Sequence, residues 1–145
     1  MRVPDPLRYL TGTWSITRTL NDAGRTGTFT GTATFTPDGG GLAYEERGVL
    51  DLGHWHGDSY RRLHYAPAPS GLLAVTFEDG RFFHDLDLSG GEWTVHHPCR
   101  ADAYEGRFTV LSADEWRQEW RVRGPAKDQL IQSVFSRNGS SARGS

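Results

Sequence analysis

The feature that most constrains this chain is a succession of short segments in which polar and apolar residues alternate. In the first of them, TWSITRTL, the side chains of Trp14, Ile16, Arg18 and Leu20 share one face, while serine and threonine occupy the other. Alternation of this kind is typical of half-buried β-strands. About ten such segments follow one another, separated by the turn sequences NDAG, PDGGG, APAPSG, EDG, SGG and RGPAKD. The pattern predicts antiparallel strands in a barrel or a sandwich.

We favour a single antiparallel barrel of about eight to ten strands, because closure removes exposed strand edges and gives every strand an inward face. Only DPLRYL near the start has a helical pattern, which predicts a short N-terminal helical turn. A chain of 145 residues fits one domain. We therefore predict a barrel domain over residues 1–137 and a disordered tail over residues 138–145, where small and polar residues dominate.

Charge and hydropathy argue against several classes of protein. The formal net charge is -2 and no basic block stands out, so we expect no nucleic-acid partner. No segment approaches the ~20 apolar residues of a membrane helix, and the N-terminus lacks the apolar core of a signal peptide. Cys99 is the only cysteine, so no intrachain disulfide can form. We expect a cytoplasmic monomer or homodimer with no membrane partner.

The segment LTGTW resembles the calycin superfamily of lipocalins and fatty-acid-binding proteins in its G-x-W pattern. The resemblance implies that Trp14 closes one barrel end against an arginine of the last strands, either Arg121 or Arg123. The chain also resembles an uncharacterised bacterial family with a calycin-like barrel, through LTGTWSITR, GTFTGTATF, GLAYEERG, FEDGRFFHDLDL, HHPCRADAY and WRVRGPAKD. That resemblance implies the fold and leaves the activity open.

A barrel of this size can hold one small ligand, and several polar residues are candidates for its pocket. In YEERG, Glu46 shares a face with Tyr44, and an inward carboxylate needs a partner. We name three arginines as possible partners: Arg62, Arg81 and Arg121. Trp120, two positions after Gln118, is predicted to belong to the core or to the pocket wall.

Acid–base chemistry points to histidine, because its ordinary pKa lies near neutrality. His84 shares a face with Phe82 and Leu86, so it is either a satisfied core histidine or a base in the pocket. In HHPCRADAY, His97 is a second candidate proton carrier, and Tyr104 is a candidate hydrogen-bond donor to a substrate.

Four further residues complete the predicted site. Asp102 can orient a histidine, while Cys99 is either a packed or pocket-lining thiol or a nucleophile. Arg123 and Lys127 flank the turn RGPAKD at a barrel end. Lys127 and Arg81 are candidate contacts for an anion, and Lys127 is alternatively a Schiff-base amine or an ordinary turn residue.

Metal and haem binding have weaker support from the sequence. The pairs His54–His56 and His97–Cys99 have a spacing that can bring two ligands to one ion, but a zinc site needs three or four. The haem ligand of related barrels lies in the late strands, and no histidine follows His97. We expect no metal and no cofactor.

Three hypotheses follow. The first is a barrel that binds a small organic substrate and acts on it by cofactor-free acid–base chemistry, as an isomerase, cyclase or dehydratase. The second is the same barrel as a non-catalytic binding or carrier protein. The third is a barrel that binds haem or a metal through histidines.

Overall fold

A computed structural model of the protein describes residues 1–137, apart from the side chain of Cys99. The tail predicted over residues 138–145 lies outside the described residues. The described chain forms one short helix, one 3-10 turn and ten strands: α1 (Pro6–Leu10), β1 (Gly12–Asp22), β2 (Arg25–Asp38), β3 (Gly41–Asp51), β4 (His56–Pro67), the 3-10 turn (Pro69–Gly71), β5 (Leu73–Phe77), β6 (Phe82–Leu86), β7 (Glu92–Cys99), β8 (Asp102–Ser112), β9 (Glu115–Gly124) and β10 (Lys127–Ser136). The all-β prediction with a short N-terminal helical turn is confirmed. No helix in this part of the chain is long and apolar enough to cross a membrane.

All ten strands form one antiparallel sheet that curls into a nearly closed barrel. Their hydrogen-bonded order is β6-β5-β4-β3-β2-β1-β10-β9-β8-β7, so the first and last strands pair with each other. The edge strands β6 and β7 share no backbone ladder within the described residues. At this seam, the indole N–H of Trp93 donates a hydrogen bond of 3.0 Å to the carbonyl oxygen of Asp85. The predicted barrel is therefore confirmed, with one seam between β6 and β7.

The odd-numbered strands run away from the end that carries α1, and the even-numbered strands return to it. The end with α1 is the closed end, and the other end carries the hairpin turns after β1, β3, β5, β7 and β9. Along β1, Trp14 and Ile16 are buried and Arg18 is half-buried, whereas the serine and threonines between them are exposed. The alternation seen in the sequence thus decides which side chains enter the barrel.

Helix α1 closes one end of the barrel, and the backbone groups at the ends of the helix have hydrogen-bond partners that stabilise it there. The side chain of Asp5 caps the helix by accepting a 3.2 Å hydrogen bond from the N–H of Arg8, and Pro6 sits where no N–H is needed. Leu10 is fully buried, and its carbonyl accepts a 2.9 Å hydrogen bond from the indole of Trp14. The G-x-W segment therefore ties β1 to the helix.

Arg137, the residue after β10, covers Trp14 from outside. Its guanidinium carbon lies 4.0 Å from the centroid of the Trp14 ring. The same guanidinium donates hydrogen bonds to the carbonyls of Tyr9, at 2.9 Å, and Ala113, at 2.8 Å. These contacts join the helix, the β8–β9 turn and the end of β10 at the closed end.

The arginine on Trp14 is thus Arg137, which corrects the expectation that Arg121 or Arg123 would take this place. Both of those residues lie on the outward face of β9, because they alternate with the inward residues Trp120 and Val122. They also lie near the open end of β9, far along the strand from α1.

Aromatic side chains fill the closed half of the barrel. Trp116 and Phe135 stack with their ring centroids 4.1 Å apart, and Trp14 meets Trp116 edge to face at 6.3 Å. Phe35 contacts Tyr44, with 4.7 Å between the ring centroids. Large rings packed in this way contribute much of the buried apolar area of a small barrel. The interior that remains for a ligand lies in the open half.

Candidate functional site

The open half of the barrel encloses a pocket of about 270 Å³. Its polar lining consists of Arg18, Arg61, Tyr104, Gln118, Gln129 and Ser133, and its apolar lining of Leu20, Phe83, Trp120, Val122 and Ile131. A wider recess of about 480 Å³, lined in part by both hairpin turns at the open ends of β1 and β3, shares Leu20, Gln129 and Ile131 with the pocket. The pocket is therefore continuous with the open end of the barrel.

A buried ion pair between Arg18 and Glu46 occupies the polar side of the pocket. The Glu46 carboxylate accepts hydrogen bonds from Arg18 Nη1 at 2.7 Å, from Arg18 Nη2 at 3.2 Å and from the hydroxyl of Tyr44 at 2.5 Å. Arg18 Nε donates to the hydroxyl of Ser133 at 2.8 Å. The pair is nearly removed from water, since the Glu46 side chain is 4% exposed and that of Arg18 is 13% exposed.

The intervening strand carries a ring and two small residues beside this pair. Strand β2 lies between β1 and β3, with Phe29 opposite Arg18, Ala33 opposite Glu46 and Gly31 between them. The guanidinium carbon of Arg18 lies 5.2 Å from the centroid of the Phe29 ring, so Arg18 passes over this ring to reach Glu46. A Cβ atom added to Gly31 would overlap the backbone carbonyl of Arg47 on β3, so a larger residue cannot be accommodated there without shifting the strands.

Electrostatics keep Glu46 ionised inside the barrel. Burial alone would raise the pKa of Glu46, but the hydrogen bonds from Arg18 and the positive charge of Arg61 outweigh it, and the pKa lies below its usual value. Burial, together with the adjacent carboxylate, raises the pKa of Tyr44 well above its usual value, so this hydroxyl remains a donor. The Glu46 carboxylate is therefore an acceptor that is already occupied by hydrogen bonds.

Arg61 on β4 faces the same pocket with its donors free. Its closest acidic contact is Glu46, with 3.7 Å between Nη2 and Oε1, which is too long for a good hydrogen bond. Among the described residues, no group accepts a hydrogen bond from the Arg61 guanidinium. Its neighbour Arg62 faces outward and is paired with Glu45 at 2.9 Å and Glu78 at 3.4 Å. Arg61 and Arg62 are adjacent in the sequence, but Arg61 faces the pocket without a hydrogen-bond acceptor among the described residues, whereas Arg62 faces outward and is paired.

The apolar side of the pocket is a wall of stacked rings. Phe83 stacks on Trp120 with 5.3 Å between centroids and 17° between planes, and Phe77 stacks on the far side of Phe83 at 4.6 Å. The Trp120 ring lies over Gly106 on the neighbouring strand, where an added Cβ would come within 2.8 Å of it. The glycine therefore makes room for the indole, and the stacked rings form an apolar aromatic wall.

His84, the first candidate proton carrier, is buried behind this wall. Its ring contacts Phe83 at 4.7 Å and Trp120 at 5.4 Å between centroids. His84 Nδ1 lies 2.8 Å from the carbonyl oxygen of Asp85, and because a carbonyl only accepts, this geometry assigns the proton to Nδ1. Nε2 has no hydrogen-bond partner among residues 1–137. Burial lowers the pKa of His84 below its ordinary value, so the ring is neutral at pH 7.

His97 lies beside His84 at the seam between β6 and β7. Both histidines line a cleft of about 210 Å³ there. His97 is half-buried and contacts the ring of Tyr104, with 6.2 Å between centroids. Its neighbour His96 points outward, 3.4 Å from a carboxylate oxygen of Glu105. The structure therefore separates the two candidate histidines from the polar wall of the pocket and places them at its aromatic edge.

A small polar cluster stands at the mouth of the barrel. Lys127 Nζ lies 3.3 Å from the hydroxyl of Tyr104 and 3.4 Å from a carboxylate oxygen of Asp102. These two partners raise the pKa of Lys127, so its amine is protonated at neutral pH. A Schiff base needs the neutral amine, and this arrangement favours a charge contact instead. Of the three residues, Tyr104 also lines the pocket.

The other predicted site residues lie away from the pocket. The Arg81 side chain is 78% exposed and pairs with Asp79 at 2.7 Å in the β5–β6 turn. Arg121 and Arg123 point outward from β9. The partner of Glu46 is accordingly Arg18, and not Arg62, Arg81 or Arg121 as the sequence suggested, because the strand order brings β1 and not those residues to its side. The side chain of Cys99 lies outside the described part of the chain.

The first histidine pair proposed as metal ligands, His54 and His56, lies at the open end of the barrel. His54 lies in the β3–β4 turn and His56 begins β4, and both are exposed. No group of three or more histidine, cysteine, aspartate or glutamate side chains in the described residues could hold a metal ion.

Five polar pocket residues were missed as site candidates: Arg18, Arg61, Gln118, Gln129 and Ser133. The signal was present for each, because each alternates with buried apolar residues on its own strand. Arg18 follows the series of Trp14 and Ile16, and Arg61 precedes Leu63 in the same way. A charged residue at an inward position of a barrel strand indicates a pocket more strongly than a histidine near a turn.

Fold and pocket define the class of this protein: a nearly closed antiparallel barrel whose interior pocket is polar on one side and aromatic on the other. The chain belongs to DUF6314, a family of unknown function, whose profile matches residues 10–137. No curated protein sequence matches it.

Solved structures similar to this chain share its fold. The S-type phycobiliprotein lyase CPES from Guillardia theta superposes with a TM-score of 0.64 at 10% identity, covering 95% of this chain and 93% of that one. A fluorescence-activating β-barrel designed de novo superposes with a TM-score of 0.51 at 14% identity, covering 93% of this chain and 100% of that one. A redesigned barrel, mFAP1, bound to DFHBI, has a TM-score of 0.49 at 15% identity, covering 90% and 97%. At these identities the likeness concerns the fold.

Proposed function

We propose that this protein binds a small organic molecule in the open half of its barrel. The observation that carries the proposal is the division of one pocket into a wall of charged and amide side chains and a wall of stacked rings. Concave sites with apolar walls and a few convergent polar groups are the usual form of small-ligand sites. The likeness in fold to a phycobiliprotein lyase supports a barrel that has an interior. The side chains that line the pocket of this chain then decide which kind of molecule it can bind.

Filling the pocket tests this proposal. Ile131 faces the pocket, and Leu130 is its neighbour on the outward face of β10. Ile131→Trp should abolish binding of one- and two-ring aromatic compounds, screened by saturation-transfer NMR, whereas Leu130→Trp should retain it. Circular dichroism and thermal unfolding verify that both variants fold. Binding that survives in Ile131→Trp, or a screen in which the wild-type chain binds no compound, refutes the proposal.

A second candidate function is acid–base turnover of the bound molecule. The observation in its favour is His84, a neutral ring with Nδ1–H held by a carbonyl and a free lone pair on Nε2. That is the state a general base requires. Its test needs a ligand first: a compound that co-purifies with the chain, identified by mass spectrometry, is incubated with each variant. Conversion should disappear in His84→Gln and persist in His96→Gln, whose ring faces outward. Equal conversion in both variants would exclude His84.

A further inference from the structure

The charges that face the barrel interior do not balance. Arg18 and Glu46 neutralise each other through two hydrogen bonds. At the mouth, Lys127 and Asp102 form a second pair. Arg61 is left over, so the pocket carries an excess of one positive charge among the described inward residues. In a partly dry site this excess attracts an anion, and the attraction is stronger than it would be in water.

Arg61 also has the means to bind an anion directly. A guanidinium has five N–H donors in a planar fork that matches the two oxygens of a carboxylate. For Arg18 and Arg62 this fork is engaged by glutamates, whereas Arg61 reaches only Glu46, whose oxygens already accept from Arg18 and Tyr44. The side chain of Arg61 is 44% exposed, and it lines the pocket. An incoming acid therefore meets donors that have no hydrogen-bond partner among the described residues, next to the 3.7 Å ion contact between Arg61 and Glu46.

The rest of the pocket sets the size and shape of the molecule that carries the acid. An apolar cavity of about 150 Å³ holds a single benzene ring, so a pocket of about 270 Å³ suits about two rings. Phe83 and Trp120, stacked on each other, form an aromatic wall along it. Gln118 and Ser133 add polar groups close to the charged side.

From these observations we infer that the ligand of this pocket is an aromatic carboxylate whose acid group is bound by Arg61. The inference rests on the proposed function, because it names the chemical class of the molecule bound in the same pocket. Arg61 is the residue that distinguishes acids from neutral molecules of the same shape.

A matched pair of probes tests the inference. Naphthoate and its neutral amide, naphthamide, have nearly the same shape and differ in charge. Affinities are measured by isothermal titration calorimetry for the wild-type chain, Arg61→Gln, Arg61→Lys and the control Arg62→Gln. The wild-type chain should bind naphthoate at least about tenfold more tightly than naphthamide, as expected for a hydrogen-bonded charge. Arg61→Gln should remove this preference while naphthamide binding stays the same, which shows that the pocket is intact.

The two further variants sharpen the result. Arg61→Lys should keep part of the preference, because it retains the charge and loses the fork. Arg62→Gln should behave like the wild-type chain. If both probes bind equally and Arg61→Gln changes neither, the anion contact is refuted and the pocket proposal stands. If neither probe binds the wild-type chain, both the inference and the proposed ligand site are refuted.

Discussion

The buried pair of Arg18 and Glu46 makes a strong prediction about stability. Glu46→Gln preserves the shape of the side chain and removes its charge. Arg18, with a side chain 13% exposed, then loses the anion that compensates it. Removal of one partner from a buried ion pair costs about 3–5 kcal/mol. Arg61 is the second cation near Glu46, and it also loses its acidic neighbour in this variant. Its side chain is 44% exposed and its charge is screened by water, so this second loss adds little and we expect the lower end of the range.

The expected loss can be converted into a melting temperature. Unfolding entropy of roughly 2.1 cal/mol/K per residue gives about 0.3 kcal/mol/K for 145 residues, so a loss of about 3 kcal/mol lowers the midpoint by roughly 10 °C. Calorimetry at pH 7 measures it directly. The control is Glu45→Gln on the outer face of β3, where Glu45, 35% exposed, pairs with the more exposed Arg47 and Arg62. That variant should melt close to the wild-type chain, because exposed pairs contribute little.

The pH dependence gives an independent check. The pKa of Glu46 is lowered in the folded state, so its stabilisation is present above the unfolded pKa of about 4.3 and is lost as the pH falls through the folded value. The difference between the wild-type chain and Glu46→Gln should therefore shrink in acid. The double variant Arg18→Met/Glu46→Leu should recover most of the stability. A midpoint for Glu46→Gln within about 2 °C of the wild-type value, or a double variant as unstable as the single one, would contradict the reasoning.

Three other predictions concern the closed end, the seam and the pocket wall. Arg137→Ala should lower stability by about 2–3 kcal/mol through lost contacts with Trp14 and backbone carbonyls; guanidinium titration, with the exposed Arg117→Ala as control, measures it. His84 has a lowered pKa in the folded state, so the unfolded chain takes up its proton first and stability should fall below about pH 6.5. Urea titrations at two pH values should show a smaller fall in His84→Gln, and an equal fall would exclude His84 as its source. Gly106→Ala should push the Trp120 ring into the pocket and weaken naphthoate binding, with the far-ultraviolet dichroism unchanged; unaltered affinity would contradict this.

The fold could be predicted because its signals are local. Alternation in TWSITRTL reports which side of β1 is buried, and the aspartate and proline of DPLRYL mark the start of α1. The place of the seam could not be predicted, since it depends on which distant strands pair. The edge strand β6 has five residues, so it offers little length for a ladder to β7. The arginine on Trp14 was misplaced for the same reason: Arg137 meets it only when β10 pairs with β1.

The candidate site was only partly predictable. Alternation places Glu46 inside the barrel, and it does not tell which arginine will pair with it. That choice is made by the strand order, which places Arg18 on β1 across β2 from Glu46 on β3. A turn residue was wrongly predicted to lie in the site: Arg81 is close to His84 in the sequence, but in the structure it pairs with the neighbouring Asp79 in solvent. Whether such a residue lies in the pocket or at the surface depends on the pairing of strands that are distant in the sequence, and no local sequence pattern records that pairing.

The position of the charges in this barrel also bears on why they are there. A buried ion pair contributes little net stability compared with apolar residues of the same size, and the rings at the closed end show that this chain can fill a barrel interior with apolar groups. Stability therefore does not account for Arg18 and Glu46 at the boundary between the packed half and the pocket. It accounts still less for Arg61, which faces the pocket with unused donors while Arg62, one position on, is paired outside. The proposed acidic ligand would give Arg61 a partner, and the Arg18–Glu46 pair leaves Arg61 as the excess cation beside it.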